Sequence, residues 1–318
     1  MCAPSTAPQF TMKLIQAANQ LGNGSRRVCL AIGVFDGVHL GHQRIIRQTV
    51  AAARQHDAVA LVVTFDPHPN AVVAPDRVPP KIYSRWQKLR ALAALGVEAV
   101  LEIPFDQRFS EKSGDLFVRE LARELGAIQS ICVGADFVFG HRRSGDVALL
   151  NALGAELHFQ VLGLAAVALE GQVVSSTRIR ELIRAGDFAA ASQMLGRPYA
   201  ICGRVVAGDQ LGRQLGFPTA NLEVSSLILP PNGVYSALTK VMEESYRVAL
   251  NIGLRPTLAT PSPQLRVEAH LLGFSGQLYD RELELELGVR IRDEMRFASP
   301  AELRAQIEQD VAAVRAMK

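Results

Sequence analysis

Two histidines set among glycines are the first residues whose types and spacing suggest chemistry. His39 and His42 stand in the string Gly33-Val-Phe-Asp-Gly-Val-His-Leu-Gly-His42. An apolar run, Val28–Val34, leads into it, and apolar residues at helical spacing follow it. The pair therefore falls near a first helical turn. A helix N-terminus offers free N–H groups and attracts anions. Gly37 and Gly41 allow close approach of a ligand to the backbone. Two imidazoles at that point can donate hydrogen bonds to phosphate oxygens as charge builds in a transition state. A lone His-x-x-His pair also fits a tight turn with two exposed side chains. The whole string, in this context, points to nucleotide chemistry.

A different phosphate site is suggested by Gly212-Arg-Gln-Leu-Gly-Phe-Pro-Thr-Ala-Asn221. Its glycines suit a flap over phosphates. Thr219 and Asn221 share one side of an extended segment, and a hydroxyl with an amide oxygen is a hard donor pair suited to Mg2+. Glu268 lies among apolar residues, Val267 and Leu271 among them. It fits a base for proton transfer or a solvent-facing strand residue. Ser175, Ser176 and Thr177 precede a helical pattern with Ile179, Leu182 and Ile183. Their hydroxyls can cap that helix or bind phosphate, and Arg180 adds a cationic fork. Asp66 and His68 sit at a strand end, where a loop meets ligand or simply turns. Asp136 can orient a ligand group or satisfy local backbone donors. Phe137 and Phe139 fit the wall of an aromatic-ring site or core packing.

The elements that must position these residues follow two patterns. Continuous apolar strands are expected at Val28–Val34, Ala58–Phe65, Val97–Ile103 and Ile131–Val133. Helices are expected at Gly41–His56, Ser84–Ala94 and Ser113–Leu125, the second opening with a Ser84/Gln87 capping box. Such alternation implies a parallel sheet covered on both faces, with ligands beyond the carboxyl ends of its strands. After about Pro198 the pattern becomes strands separated by Gly, Pro and Asn turns. Val234–Val241, Val248–Ile252, Arg266–Leu272 and the strictly alternating Glu282–Leu287 suggest a small antiparallel barrel. A closing helix starts at Pro300, with Ser299 as N-cap and Glu302 completing a capping box. Its apolar stripe, Leu303, Ile307, Val311 and Val314, is expected to lie on the barrel.

Composition agrees with two domains. The 318 residues are 48% hydrophobic and 20% charged, enough to bury a core without disulfides. Lys plus Arg number 34 against 31 Asp plus Glu, which argues against a nucleic-acid-binding field. Cys2, Cys29, Cys132 and Cys202 have no metal-site or disulfide spacing. Cys29 and Cys132 sit in apolar runs and read as buried reduced thiols, consistent with a cytoplasmic protein. No signal-peptide pattern is present, and the longest apolar stretch, Val161–Leu169, falls short of the ~20 residues a membrane span needs. Residues 1–11 are expected to be a flexible tail, with Met12 as an alternative start.

The first string resembles the H-x-G-H nucleotidylyltransferase signature, in the form seen in bacterial bifunctional riboflavin kinase/FAD synthetases. Thr64-Phe-Asp-Pro-His-Pro69, Val133-Gly-Ala-Asp-Phe-Val-Phe-Gly140 with Arg143-Ser-Gly-Asp146, and Ser175-Ser-Thr-Arg-Ile-Arg180 resemble the next motifs, in the family's order. The second string resembles the riboflavin kinase motif. It is followed by Pro231-Asn-Gly-Val-Tyr235, Asn251-Ile-Gly-Leu-Arg-Pro-Thr257, Val267-Glu-Ala-His270 and Ile291-Arg-Asp-Glu294.

The resemblance implies an α/β N-terminal nucleotidylyltransferase domain with a Rossmann-like parallel sheet. To this it adds a C-terminal small antiparallel β-barrel with a terminal helix. Residues 1–27 would be a tail and lead-in, 28–195 the FMN adenylyltransferase and 199–318 the riboflavin kinase. It implies ATP-dependent phosphorylation of riboflavin to FMN, then adenylyl transfer to FMN giving FAD and pyrophosphate, with Mg2+. Catalytic roles fall on His39, His42, Arg180 and Glu268. ATP contacts fall on Gly33, Phe35, Gly37, Gly41, Ser175, Ser176, Thr177, Gly212, Gly216, Phe217, Asn251 and Thr257. Flavin contacts fall on Asp66, His68, Asp136, Phe137, Phe139 and Arg292, and Mg2+ on Thr219 and Asn221. Arg292 also fits a surface salt bridge with Asp293 or Glu294.

Three positions depart from the family pattern: Val34, Ala135 and Asp280, the last where glycine is usual. The expected partners are small molecules, with no nucleic acid and no membrane; self-association stays open. The alternatives are one active domain only, or a flavin-binding regulator without catalysis. A class I aminoacyl-tRNA synthetase fragment is disfavoured, because no K-M-S-K-S segment is present.

Overall fold

The computed structural model describes residues 12–22, 24, 26–255 and 264–317. The expected tail, Cys2 and Thr257 lie outside them. Two compact units result. Of the described residues, the first unit holds those of 12–80 and 85–176, and the second holds 81–84 with those of 177–317.

The first unit is built on six strands: β1 (Lys13–Ile15), β2 (Val28–Ile32), β3 (Val59–Asp66), β4 (Ala99–Pro104), β5 (Ile128–Gly134) and β6 (Gln160–Leu164). All run parallel, in the order β1-β4-β3-β2-β5-β6. Helices α1 (Leu40–Gln55), α2 (Asn70–Val73), α3 (Arg85–Ala94), α4 (Gln107–Ser110), α5 (Gly114–Leu125) and α6 (Val147–Leu157) lie along the connections. Successive residues of β2 and β3 face opposite cores. Leu30, Ile32, Leu61 and Val63 pack with Val118 and Leu121 of α5 and Leu150 of α6. Cys29, Ala31, Ala60 and Val62 pack with Ile46 and Val50 of α1 and Leu89 of α3. Double-sided burial is why these strands read as unbroken apolar runs. β1 carries no such signal. It joins the sheet by pairing Lys13–Ile15 with Ala99–Leu101 of β4.

A short hairpin, β7 (Ala168–Leu169) and β8 (Gln172–Val173), precedes α7 (Ser176–Ala185) and α8 (Phe188–Leu195). The second unit's barrel comprises β9 (Ala200–Val206), β10 (Ala220–Glu223), β11 (Gly233–Val241), β12 (Glu244–Arg255), β13 (Gln264–Leu271) and β14 (Glu282–Asp293). Its strands close in the order β10-β13-β12-β11-β14-β9, every pair antiparallel. A short helix, α9 (Leu211–Gln214), interrupts the β9–β10 loop, and α10 (Pro300–Ala316) ends the fold. In Glu282–Leu287 the leucines Leu283, Leu285 and Leu287 are buried, as strict alternation requires. Ser299 caps α10 by accepting from the Glu302 N–H at 3.2 Å, and Glu302 accepts from the Ala298 N–H, one residue before the expected one. Asp280 takes the positive φ of 65° that glycine would suit, and its carboxylate pairs with Arg204 at 2.7 Å.

Candidate active sites

The histidine string lies at the point where the parallel sheet reverses its winding. β2 and β5 are neighbours, and the strands that follow each extend the sheet in opposite directions. The loops leaving β2 and β5 therefore part there and leave a crevice for ligand. Phe35 takes a left-handed φ of 53° and is buried. Gly37 takes φ 77°, a region where a side chain is strained. A short turn at Asp36–Val38 then delivers His39 to the N-cap of α1, where Nδ1 accepts from the His42 N–H at 3.4 Å. The His39 and His42 rings stack with centroids 3.6 Å apart, and the Phe35 ring meets His42 edge-on at 5.2 Å. A Cβ on Gly41 would sit 3.2 Å from His39 Cε1. Ser176 joins the same loop by donating to the Asp36 carbonyl at 3.0 Å. His39, His42, Gly41 and Ser176 thus converge on one helix start.

The other residues expected in this unit surround the carboxyl ends of its strands. Asp66 ends β3, and His68 Nδ1 accepts from the Asn70 N–H at 3.1 Å. Asp136 is exposed beyond β5. Phe137 and Phe139 stack at 5.2 Å and pack against the core, so packing is one of their functions. Ala135 donates its N–H to the Leu164 carbonyl, and Val34 offers its carbonyl to Thr64. Thr177 and Arg180 belong to the second unit; Arg180 is buried and Thr177 exposed.

The barrel carries a cavity of about 330 Å³ on its outer surface. Strand register explains what lines it. Asn221 of β10 pairs with Glu268 of β13, which pairs with Asn251 of β12. Asn251 pairs with Val234 of β11, which pairs with Arg292 of β14. These residues form one row across five strands, and all five line the cavity. Their sequence neighbours Leu250, Ile252, Val267 and Ala269 are buried in the barrel. The cavity roof is α10, through Leu303 and Ile307, together with Met295 and Phe297. Thr219, Gly212 and Phe217 enter from the β9–β10 loop. That loop is tightly folded. Phe217 N–H donates to the Gly212 carbonyl at 2.7 Å, and a Cβ on Gly208 would meet Asn221 Nδ2 at 2.3 Å. Gly216 takes φ 93° nearby.

Three further residues line this cavity, of which the sequence analysis left only Asp310 unnamed. Asp310 of α10 is buried and binds Arg292 through Nε at 2.9 Å and Nη2 at 2.8 Å. Arg292 therefore pairs with the Asp310 carboxylate of the helix, and not in a surface salt bridge with Asp293 or Glu294. A carboxylate on the apolar stripe between Ile307 and Val314 was the available signal. Glu294 accepts from the Leu254 N–H and the Asn232 amide, each at 3.0 Å. His270 Nδ1 lies 2.9 Å from the Pro218 carbonyl, and its ring meets Phe217 edge-on. Among the described residues no three His, Cys, Asp or Glu side chains cluster as a metal site. The threonine and asparagine oxygens beside Glu268 are nonetheless the donor type that Mg2+ prefers.

A switch-point anion loop on one unit and a polar row in a barrel cavity on the other define a phosphate-handling transferase with two separate sites. Comparison gives the family. Residues 23–178 match the FAD synthetase family and residues 195–318 the riboflavin kinase family. The chain is 38% identical over 301 residues to the bifunctional riboflavin kinase/FMN adenylyltransferase of Escherichia coli (strain K12), covering 94% of this chain and 96% of that one. It is 38% identical over 306 residues to the protein of the same name from Pseudomonas fluorescens, covering 96% and 98%. A crystal structure titled as a macrolide-efflux protein from Streptococcus pneumoniae covers 96% of this chain and all of that one, with TM-score 0.79 and 28% identity. The chain belongs to the bifunctional riboflavin kinase/FMN adenylyltransferase family. Among the described residues no helix is long and apolar enough to cross a membrane.

Proposed function

We propose that this protein converts riboflavin to FMN at the barrel cavity and FMN to FAD at the histidine loop, using ATP in both steps. What carries the reading is that the two constellations stand in one chain of this family. Asn221, Glu268 and Asn251 stand in one row beside Thr219, and His39 and His42 stand stacked at a helix start.

In the kinase step, Glu268 takes the proton of the ribityl 5′-hydroxyl as that oxygen attacks the γ-phosphate. Gly212, Gly216, Phe217 and Asn251 shape the nucleotide pocket. Arg292, engaged by Asp310, borders the flavin side. Thr219 and Asn221 would hold Mg2+, which when bound neutralises phosphate charge. In the adenylyl step, the FMN phosphate attacks the α-phosphorus of ATP in line, and pyrophosphate leaves. His39 and His42, with the α1 N-terminus, stabilise the developing charge. No covalent enzyme intermediate is required. Gly33, Phe35, Gly37, Gly41, Ser175 and Ser176 shape the ATP site; Asp66, His68, Asp136, Phe137 and Phe139 border the flavin. Residues 28–195 make up the adenylyltransferase and 199–318 the kinase, in a cytoplasmic enzyme.

A chromatographic time course tests this. Protein, riboflavin, ATP and Mg2+ are mixed, and flavins are followed by fluorescence. FMN should appear first and FAD later. FMN alone would restrict activity to the barrel. No product from riboflavin or from supplied FMN would leave a flavin-binding protein without catalysis.

A further inference from the structure

A buried polar chain runs behind the histidine loop, outside the residues assigned to the adenylyl step. Thr64 is fully buried in β3. Its hydroxyl lies 3.1 Å from the Val34 carbonyl, and Lys88 Nζ, on α3, lies 3.4 Å from the same hydroxyl oxygen. Thr64 pairs directly with Glu102 across the β3–β4 ladder. Glu102 is buried, with Lys88 Nζ 3.9 Å from one oxygen and Arg85 2.7 Å from the other. A carboxylate buried in an apolar parallel sheet needs such partners to persist.

The direction of the chain follows from donor chemistry. An ammonium group donates and never accepts. The Thr64 oxygen must therefore accept from Lys88, and its single proton is left for the Val34 carbonyl. Val34 immediately precedes Phe35, which holds the left-handed φ of 53° from which the turn to His39 starts. A valine would fill the Thr64 site with the same shape and no polar atom, so the hydroxyl is what sets threonine apart there.

We infer that Thr64 is a positioning residue for adenylyl transfer. Anchored by Lys88 and Glu102, it fixes the Val34 carbonyl and so the register of the loop that presents His39 and His42. The inference rests on the proposed adenylyl step at that loop. Small displacements of a phosphate-stabilising group lower turnover more than affinity, because the contacts matter most in the transition state.

The test uses full-length Thr64→Val and Thr64→Ser, with FAD formation from supplied FMN and riboflavin phosphorylation measured on the same preparations. Thr64→Val should lower kcat for FAD formation about 10- to 100-fold, with KM for ATP and FMN moving less than about threefold. Thr64→Ser keeps the hydroxyl and should stay within about threefold of the parent. Riboflavin phosphorylation should not change. A Thr64→Val enzyme with parental kcat, a serine variant as slow as the valine one, or a loss confined to KM would each overturn the inference. If Thr64→Val does not fold, Lys88→Met decides. It should lower kcat several-fold without raising KM, and a parental kcat would reject the chain. A parent protein that makes no FAD would overturn the functional reading instead.

Discussion

Removing the Asp310 carboxylate should loosen the roof of the barrel cavity, by an amount the structure lets one work out. Asp310 is 4% exposed, and the Arg292 side chain is 17% exposed. Breaking a buried pair by deleting one partner costs about 3–5 kcal/mol, because the other charge is left uncompensated. Arg292 keeps a hydrogen bond from Nη1 to the Asp293 carbonyl at 2.9 Å and borders the open cavity. Both soften the loss, so Asp310→Ala should cost about 3 kcal/mol, at the low end of that range. With a urea dependence of about 2 kcal/mol/M, the barrel midpoint should fall by about 1.5 M.

Trp86, the sole tryptophan, lies in the other unit, so the readout should be hydrogen exchange in β11–β13 across a urea series. Replacing both partners, Arg292→Met with Asp310→Leu, buries no charge and should recover most of the stability. Because α10 supplies Leu303 and Ile307 to the cavity, Asp310→Ala should also raise KM for riboflavin while leaving FAD formation from supplied FMN alone. A midpoint within about 0.3 M of the parent would refute the reasoning. So would a double variant as unstable as the single one.

Three other outcomes are expected. His42→Ala should depress FAD formation by about two to three orders of magnitude, as loss of a transition-state donor does, and spare riboflavin phosphorylation; equal FAD rates would remove His42 from the site. Glu268→Gln should stop FMN formation yet leave FAD synthesis from supplied FMN, and full-rate phosphorylation would show that Glu268 is not the base. Burial pushes the Cys132 thiol from 9.0 up to about 11. The folded state therefore holds this proton where the unfolded chain releases it, so stability should decline as pH rises from about 9 toward 11. Thermal unfolding across that window should show the decline, and Cys132→Ala should lessen its slope, the raised Cys29 and Cys202 thiols keeping the remainder; an identical slope in the variant would exclude Cys132 as a source.

The sheet was legible in the sequence because burial on both faces leaves unbroken apolar runs. The histidine loop was legible because its glycines and histidines lie within one short string. Glu268 was legible only as a pair of alternatives, a base or an outward-facing strand residue. It does alternate with Val267 and Ala269, as an outward-facing strand residue would. The outward face here is roofed by α10 and becomes a cavity. Asp310 was missed because a single carboxylate on an amphipathic helix acquires meaning only when its partner is known. β1 was missed because three residues carry too little pattern, and its place is set by pairing with β4.

By itself, the sequence determined the kinds of elements, the two domain patterns and the candidate residues for phosphate chemistry. These are local properties: periodicity, turn chemistry and short-range spacing. The tertiary structure decided that Asn221, Glu268, Asn251 and Arg292 share one row, that Asp310 holds Arg292, and that Thr64 reaches the Val34 carbonyl. Those contacts join residues far apart in the chain. Alternation says which face a side chain takes, but only strand pairing and packing say what it meets there.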